Sequence, residues 1–458
     1  MEEYRILAPT AILGYGFPLS SFKEGMKRRP HLIAVDAGST DPGPYYLGAG
    51  VSFTQRRAVK RDLAIILKAA IDAGIPVTIG TAGGSGGQPH LRWNLEIITE
   101  VAAEEDLEFI LAIINAEIEP EQVYLRWKEG KTFTLEPGPE LTEDHLKNTL
   151  RIVAQMGVEP LIEALNAGAQ VILAGRAYDP AVFAAPAIRA GFPRGLAIHL
   201  GKILECAAIA ATPGSGSDCL FGRLQADCFE VEPLNPIRRC TTLSVAAHTL
   251  YEKSDPYLLP GPGGLLDLQE TSFEQIDERV VRVRGSKFKE ISPYRVKLEG
   301  VRRIGYRTVS IAGIRDPLLI NALDQVISEV KARVSDNFQQ ERLVYFLDFK
   351  IYGKNGVMGA LEPSPIPNSH ELGILIEAVA ATQELADTVC GFARSTMLHY
   401  GYEGRVSTAG NLAFPYSPSD FQTGEVFTFS LYHLLEVNDP RELFPYEIQK
   451  IKGRGLSG

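Results

Sequence analysis

Short apolar runs alternate with amphipathic stretches through the first half of the chain. Strands are predicted at residues 4–7, 32–35, 77–79, 109–114 and 171–173. Each is a near-continuous apolar run, as expected of strands buried on both faces. Between them, residues 57–73 place Val59, Leu63, Ile66 and Leu67 on one helical stripe, and Gly74 stops it. Residues 90–104 and 143–155 read as helices in the same way. Such alternation predicts an N-terminal, mostly parallel sheet with helices on both faces. Residues 196–250 read as mostly helical, interrupted by Gly, Pro and Ser.

After the turn-rich run Pro260-Gly261-Pro262-Gly263-Gly264 the pattern changes. Strand-like runs come close together at 280–283, 294–298, 308–311, 345–352 and 372–379. Helical patterns follow at 317–334 and 382–398. These two β-β-α-like units predict a smaller α+β C-terminal domain. The expected organisation is an α/β domain over residues 1–270 carrying the site and an α+β domain over 271–458, with the boundary inside 255–290. No internal repeat is evident.

Composition narrows the function classes. The chain has 458 residues, 45% hydrophobic and 22% charged, ordinary for a globular protein and unlike a disordered chain or a coiled coil. A formal net charge of −10 argues against broad nucleic-acid binding, which needs a basic face. The five cysteines include no C-x-x-C pair, so neither a disulfide framework nor a zinc knuckle is expected. No basic leader and no apolar run of membrane-spanning length is evident. The expectation is a cytoplasmic protein and homo-oligomer, acting on a small anionic substrate without nucleic acid or membrane.

Three predicted strand ends carry polar chemistry, where ligands bind in open α/β sheets. Asp36, Ser39, Thr40, Asp41 and Tyr45 follow the second strand. The acids suit acid–base work or a cation, and the hydroxyls suit an anion; a turn held by Asx hydrogen bonds is the plainer reading. The third strand leads into Thr81-Ala82-Gly83-Gly84-Ser85-Gly86-Gly87 and then His90. Such glycines let backbone N–H groups converge on an anion before a helix N-terminus, or simply connect. His90 reads equally as a general base or as a structural histidine. After residues 171–173 comes Arg176, whose planar fork suits a carboxylate but which also sits where it can pair with Asp179. Ser215 and Ser217 lie in a second Gly/Ser loop. Lys202 and Glu205 are spaced i,i+3 and can salt-bridge harmlessly, and Cys206 and Cys219 read as ordinary thiols. A basic stretch from Arg279, including Arg302, Arg303, Arg307 and Arg315, reads as solvated strand faces or as an anchor for a remote anion such as that of coenzyme A.

No Walker pattern, G-x-G-x-x-G, H-E-x-x-H or G-x-S-x-G is present. Nicotinamide, flavin and pyridoxal phosphate are not expected. A divalent cation stays open, because oxygen-ligand sites have no fixed spacing to detect.

The runs DAGSTDPGPYYLGAG, TAGGSGGQPH, LAGRAYDPAVFAAPAI, GKILECAAIAATPGSGSDC, YGKNGVMG and ARSTMLHYGYEGR resemble the acyclic terpene utilisation (AtuA-like) family along nearly the whole chain. The resemblance implies bacterial catabolism of branched or unusual carboxylic acids, often as acyl-CoA thioesters. It carries over no catalytic residue set. Some family members bear a small C-terminal companion domain; with none expected after GRGLSG, the resemblance leaves room for a separate small companion subunit. The expected function is a non-redox lyase, hydratase or isomerase, with Asp36, Asp41 and His90 as catalytic candidates. The alternatives are a hydrolase or ligase-like enzyme on a phosphate-bearing substrate, and a non-catalytic ligand-binding subunit.

Overall fold

The computed structural model describes residues 2–135, 140–364, 366–367 and 369–453. They form two compact units. One comprises the chain up to Arg302 together with Phe429 onward, the other Arg303–Thr428. The chain leaves the first unit inside the strand Tyr294–Ile314 and returns inside Asp420–Val437. The division thus falls later than the 255–290 window expected from composition. No loop marks it, because one unbroken strand serves both units.

The first unit is built on a ten-stranded sheet. At its centre the strands Tyr4–Ala8, Leu32–Asp36, Val77–Gly80, Val171–Ala174 and Phe109–Ile114 run parallel, side by side in that order. Alternate residues feed two cores. Ile6, Ala8, Leu32 and Ala34 enter one, while Leu7, Ile33 and Val35 enter the other. Both faces are therefore covered, which explains why these strands read as continuous apolar runs. Helices Arg56–Ala73 and Gln88–Glu105 contribute Leu63, Ile66, Ile97 and Val101 to the second core. Helices Val158–Asn166, Asp179–Arg189 and Arg194–Leu204 contribute Leu161, Phe183 and Leu200 to the first. Antiparallel strands flank this parallel centre on both sides.

Two stretches depart from the helical expectation. Residues 143–155 divide into a helix, Glu143–Lys147, and a strand, Arg151–Ala154. That strand pairs antiparallel with Leu298–Val301, so a distant partner overrides local helical periodicity. Within 196–250, the strands Leu220–Leu224 and Cys228–Pro233 form a hairpin that extends the sheet next to Tyr4–Ala8.

The second unit follows the order strand, helix, strand, strand, helix, strand. Helices Pro317–Phe338 and Gln383–His399 pack their Leu323, Val330, Val389 and Ala393 with Ile351, Ile374 and Ile376 of the strands. Its strands lie in the order Tyr345–Tyr352, Leu372–Ala380, Tyr294–Ile314, Asp420–Val437, the arrangement of a split β-α-β motif. The overall class is mixed α/β with a further α+β unit, as the sequence pattern predicts.

Candidate functional site

Parallel neighbours in register deliver their following loops to the same edge of a sheet. Ile33 pairs with Val77, Asp36 with Gly80, and Ile79 with Leu173. The segments after Asp36, Gly80 and Ala174 therefore emerge side by side at one carboxyl edge. They are stitched together there. The Ala37 amide donates to Gly80 O at 3.0 Å and the Ala82 amide to Ala174 O at 2.9 Å. Thr81 Oγ1 accepts from the Ala177 amide at 3.1 Å and from Arg176 Nη1 at 3.2 Å.

The glycine run serves this stitching. Residues 81–87 are all buried. A Cβ on Gly38 would stand 2.5 Å from Gly84 Cα, and one on Gly86 only 2.2 Å from the Arg176 backbone nitrogen. Gly86 also has φ +73°, a conformation disfavoured by side chains. The Gly84 and Gly86 amides donate within the loop, to Thr81 O and Ala82 O. Gly83 backs on His90 and Gly87 on Arg151 and Glu117. The expected open anion cradle is instead a seam where loops touch backbone to backbone. Ser85 Oγ is buried in this seam without a hydrogen-bond partner among the described residues.

Arg176 is 1% exposed. Its Nε donates to Glu299 Oε2 at 2.7 Å, and Nη1 to Asp179 Oδ1 at 3.0 Å and Ala177 O at 2.8 Å. Glu299 also takes Thr40 Oγ1 at 2.8 Å and Lys297 Nζ at 2.7 Å on Oε1. Burial alone would raise the Glu299 pKa; Arg176 and Lys297 outweigh it and hold the group at about 2. The fork expected to grip a substrate carboxylate is thus occupied by protein carboxylates. Glu299 escaped sequence reasoning, because in the alternating segment Val296-Lys297-Leu298-Glu299 it reads as a solvent-facing residue.

Behind this network lie groups with displaced acidities. Asp36 is buried, and its Oδ1 accepts the Gly38 amide at 2.8 Å. Burial raises its pKa well above the carboxylate range, and the nearby charges of Asp179 and Glu205 add to this. Glu205 is raised to about 7, mainly by burial, with Lys202 opposing and Asp179 assisting. Lys202 Nζ donates to Glu205 Oε1 at 2.5 Å, while Oε2 is buried without a partner among the described residues. Lys202 stays charged, because the Glu205 carboxylate overcomes its own burial. The i,i+3 salt bridge is present, but inside the protein: a lysine in the apolar run Leu196–Leu204 was its signal. Lys253 makes no ion pair among the described residues; burial lowers its pKa, and neighbouring Lys202 adds to that. Cys206 and Tyr178 border the same group, and burial raises both.

Other sequence candidates lie outside this buried group. His90 Nε2 lies 3.1 Å from Tyr46 O and 3.2 Å from Val51 O. Burial pulls its pKa down to about 4, so the ring is neutral near pH 7 and ties two carbonyls to the helix start. Asp41 is exposed and accepts Ser39 Oγ at 2.7 Å. Tyr45 is 42% exposed and packs edge-on against Tyr46. Ser215 Oγ accepts the Ser217 amide in a local turn beside Thr10. Arg303 and Arg307 pair with Glu425 and Glu377 within their own unit. Among the described residues no group of three or more His, Cys, Asp or Glu has metal-holding geometry, and no helix is long and apolar enough to cross a membrane.

A cavity of about 210 Å³, lined by Gly261, Pro262, Leu265, Pro293, Lys297 and Leu434 among others, reaches the charged group through Lys297. Gly261 at its wall abuts the Tyr178 ring. A larger cavity of about 600 Å³ involves Tyr4, Pro76, Gln170 and Arg189, at the amino ends of the parallel strands. Neither cavity has a carboxylate among its described lining residues, and only the first borders, through Lys297, the charged group at the carboxyl edge.

A family model described as acyclic terpene utilisation family protein AtuA matches residues 56–217 and 236–416. No curated protein and no solved structure matches the chain.

Proposed function

The chain belongs to the acyclic terpene utilisation family AtuA, and from that premise we propose a non-redox enzyme of carboxylic-acid or acyl-CoA catabolism. Its reaction is that of a lyase, hydratase or isomerase, driven by proton transfer next to a carboxylate or thioester. The observation that carries this reading is the pair of buried carboxyls, Asp36 and Glu205, both with pKa values raised by burial, that of Glu205 to about 7. Carboxyls with pKa values displaced upward are the means by which proteins run acid and base chemistry near pH 7.

The roles divide by environment. Glu205, part-ionised at pH 7 and with Oε2 unpartnered, is the base that takes the proton from carbon. Asp36, whose pKa burial raises, is the acid that protonates the departing oxygen or the carbon of the product. Negative charge accumulates on the carbonyl oxygen as the proton leaves. The ammonium groups of Lys202 and Lys253 stabilise it in a site poor in water. Lys253 lacks an ion-pair partner and so is available to the substrate's own anionic group. The cavity beside Lys297 takes the apolar remainder of the substrate. Asp41 stands at the exposed rim, while Arg176, Glu299 and Thr40 hold the loops in place. Nothing in the packing of the glycine seam favours a phosphate-bearing substrate.

The test is solvent exchange. The protein is incubated in D₂O with a panel of short and branched carboxylates and their coenzyme A thioesters, and deuterium uptake beside the carbonyl is followed by NMR. Uptake with at least one compound, abolished in Glu205→Gln, is the expected result. No uptake and no turnover across the panel overturns the reading; uptake that survives in Glu205→Gln removes Glu205 from the base role.

A further inference from the structure

The turn-rich run at residues 260–264 closes a hairpin in which Leu258–Gly261 pairs antiparallel with Gly264–Asp267. Its tip forms one wall of the cavity of about 210 Å³. That tip is pinned: the Ile291 amide donates to Gly263 O at 3.0 Å, and a Cβ on Gly263 would stand 2.3 Å from the Tyr294 ring. Paired strands supply another wall. The Gln155 amide donates to Lys297 O at 2.8 Å, one step along the ladder from Ala154 and Leu298. Side chains two apart on a strand share a face, and Arg295 and Lys297 line the cavity together with Gln155. Lys297 has a carboxylate partner, Glu299, at 2.7 Å. Arg295 has no ion pair among the described residues. Its Cζ sits over the Phe133 ring, 3.7 Å from the centre, and its Nε is buried without a hydrogen-bond partner among the described residues.

We infer that Arg295 is the receptor for a second acidic group on the substrate, whose apolar middle fills this cavity. The ligand class is a short dicarboxylic acid, free or as its monothioester. The inference rests on the proposed placement of the substrate's apolar part beside Lys297 and adds a second anion to it. Charge complementarity carries the argument. The cavity has two cationic side chains and no carboxylate among its described lining residues. A half-buried guanidinium without a counter-charge is costly to leave unpaired. Contact with an aromatic face restrains it and leaves its N–H groups to an anion. That planar fork matches a carboxylate bidentately. Gly261, Pro262, Leu265, Pro293 and Leu434 line the rest of the cavity; they offer no competing charge and suit methylene groups. At about 30 Å³ per water-sized group the cavity holds roughly seven heavy atoms, too few for a long acyl chain.

The experiment is calorimetric titration of the full chain with pairs of acids of equal chain length: glutarate against valerate, and adipate against hexanoate. Each diacid is expected to bind about tenfold more tightly than its monoacid, or better, the effect of one added charge-assisted contact. Arg295→Leu keeps an apolar side chain against Phe133 and removes the charge, and it is expected to erase that preference. Arg295→Lys keeps the charge without the fork and should retain part of it. The ratio within each pair is the readout, because a general loosening of the site weakens both acids alike. Diacids that bind no better than monoacids overturn the inference, and so does a preference that survives in Arg295→Leu. Inorganic phosphate and coenzyme A are titrated beside them. Arg295-dependent binding of these, with none of the diacids, overturns the carboxylate assignment. Should Arg295→Leu fail to melt cooperatively, Arg295→Gln replaces it with the same expectation. Binding is read without turnover, so this inference and the proposed reaction fail separately. Arg295-dependent diacid binding stands even where no compound exchanges deuterium, and exchange confined to monoacids overturns the second acidic group.

Discussion

The Lys202 ammonium donates to Oε1 of Glu205 at 2.5 Å, and Oε2 of the same carboxyl is buried without a hydrogen-bond partner among the described residues. A carboxyl held at one oxygen and open at the other is oriented but not saturated. Replacing it with an amide keeps the shape and removes the base. Glu205→Gln is expected to lower turnover by about 10²–10⁴-fold while the protein still melts cooperatively. Wild-type activity should rise with pH through about 7, as Glu205 ionises, and a flat profile over that range would remove this assignment. The same raised pKa has a stability cost of opposite sense. Between about pH 4.5 and 7 the folded chain holds a proton on Glu205 that the unfolded chain releases, so this group's contribution falls as pH rises.

Glu299 binds two cations, the buried Arg176 and the half-buried Lys297. Glu299→Ala leaves both uncompensated and is expected to destabilise by about 3–5 kcal/mol, read from the midpoint of denaturant unfolding. Glu299→Gln, which keeps one acceptor, should cost less. Because its folded pKa is depressed to about 2, its contribution is complete above about pH 4.5 and is lost as pH falls toward 2. A Glu299→Ala variant as stable as the wild type would mean that the loops are held by other contacts.

At Gly86 the added methyl of alanine would collide with the Arg176 backbone at 2.2 Å, at a φ of +73°. Backbone cannot yield as a side-chain tip can. Gly86→Ala is expected to cost on the order of 3 kcal/mol, from overpacking and left-handed strain together. The melting temperature and any substrate affinity should fall together. Lost affinity at an unchanged melting temperature would return this loop to direct ligand binding.

His90 is neutral and buried, with its pKa pulled down to about 4; His248 is likewise at about 4. Between about pH 6.5 and 4 the unfolded chain takes up protons that these rings refuse in the folded state. Stability therefore falls as pH falls, by at most ~1.4 kcal/mol per pH unit for each ring. His90→Gln retains an N–H for the Tyr46 and Val51 carbonyls and does not titrate. Its melting temperature should decline less steeply than the wild type's from pH 6 to 4.5. An identical decline in both proteins would contradict the buried, neutral ring.

Local information was enough for the architecture of the parallel sheet. The strands from Tyr4 to Ala174 are apolar on both faces, and the helices between them keep a 3.6-residue stripe; both patterns survive because every strand there is covered on both sides. Polar residues at the ends of three such strands also pointed to one sheet edge, since parallel neighbours in register must release their loops together. Glu299 reaches Arg176 across 123 residues of sequence, and no spacing rule records that pairing. The strand Arg151–Ala154 exists because Leu298–Val301 lies beside it, against its own helical periodicity. The glycines, legible as a loop, became a buried seam only when Gly38, Gly84, Gly86 and Arg176 met backbone to backbone. Acidity is the furthest from the sequence: Asp36 and Asp41 are the same residue type five positions apart, yet one is buried beside Asp179 and Glu205 and the other is exposed. Periodicity is a property of neighbours along the chain, and the chain carried it; desolvation and charge depend on what surrounds a group in space, and that was decided only by the tertiary fold.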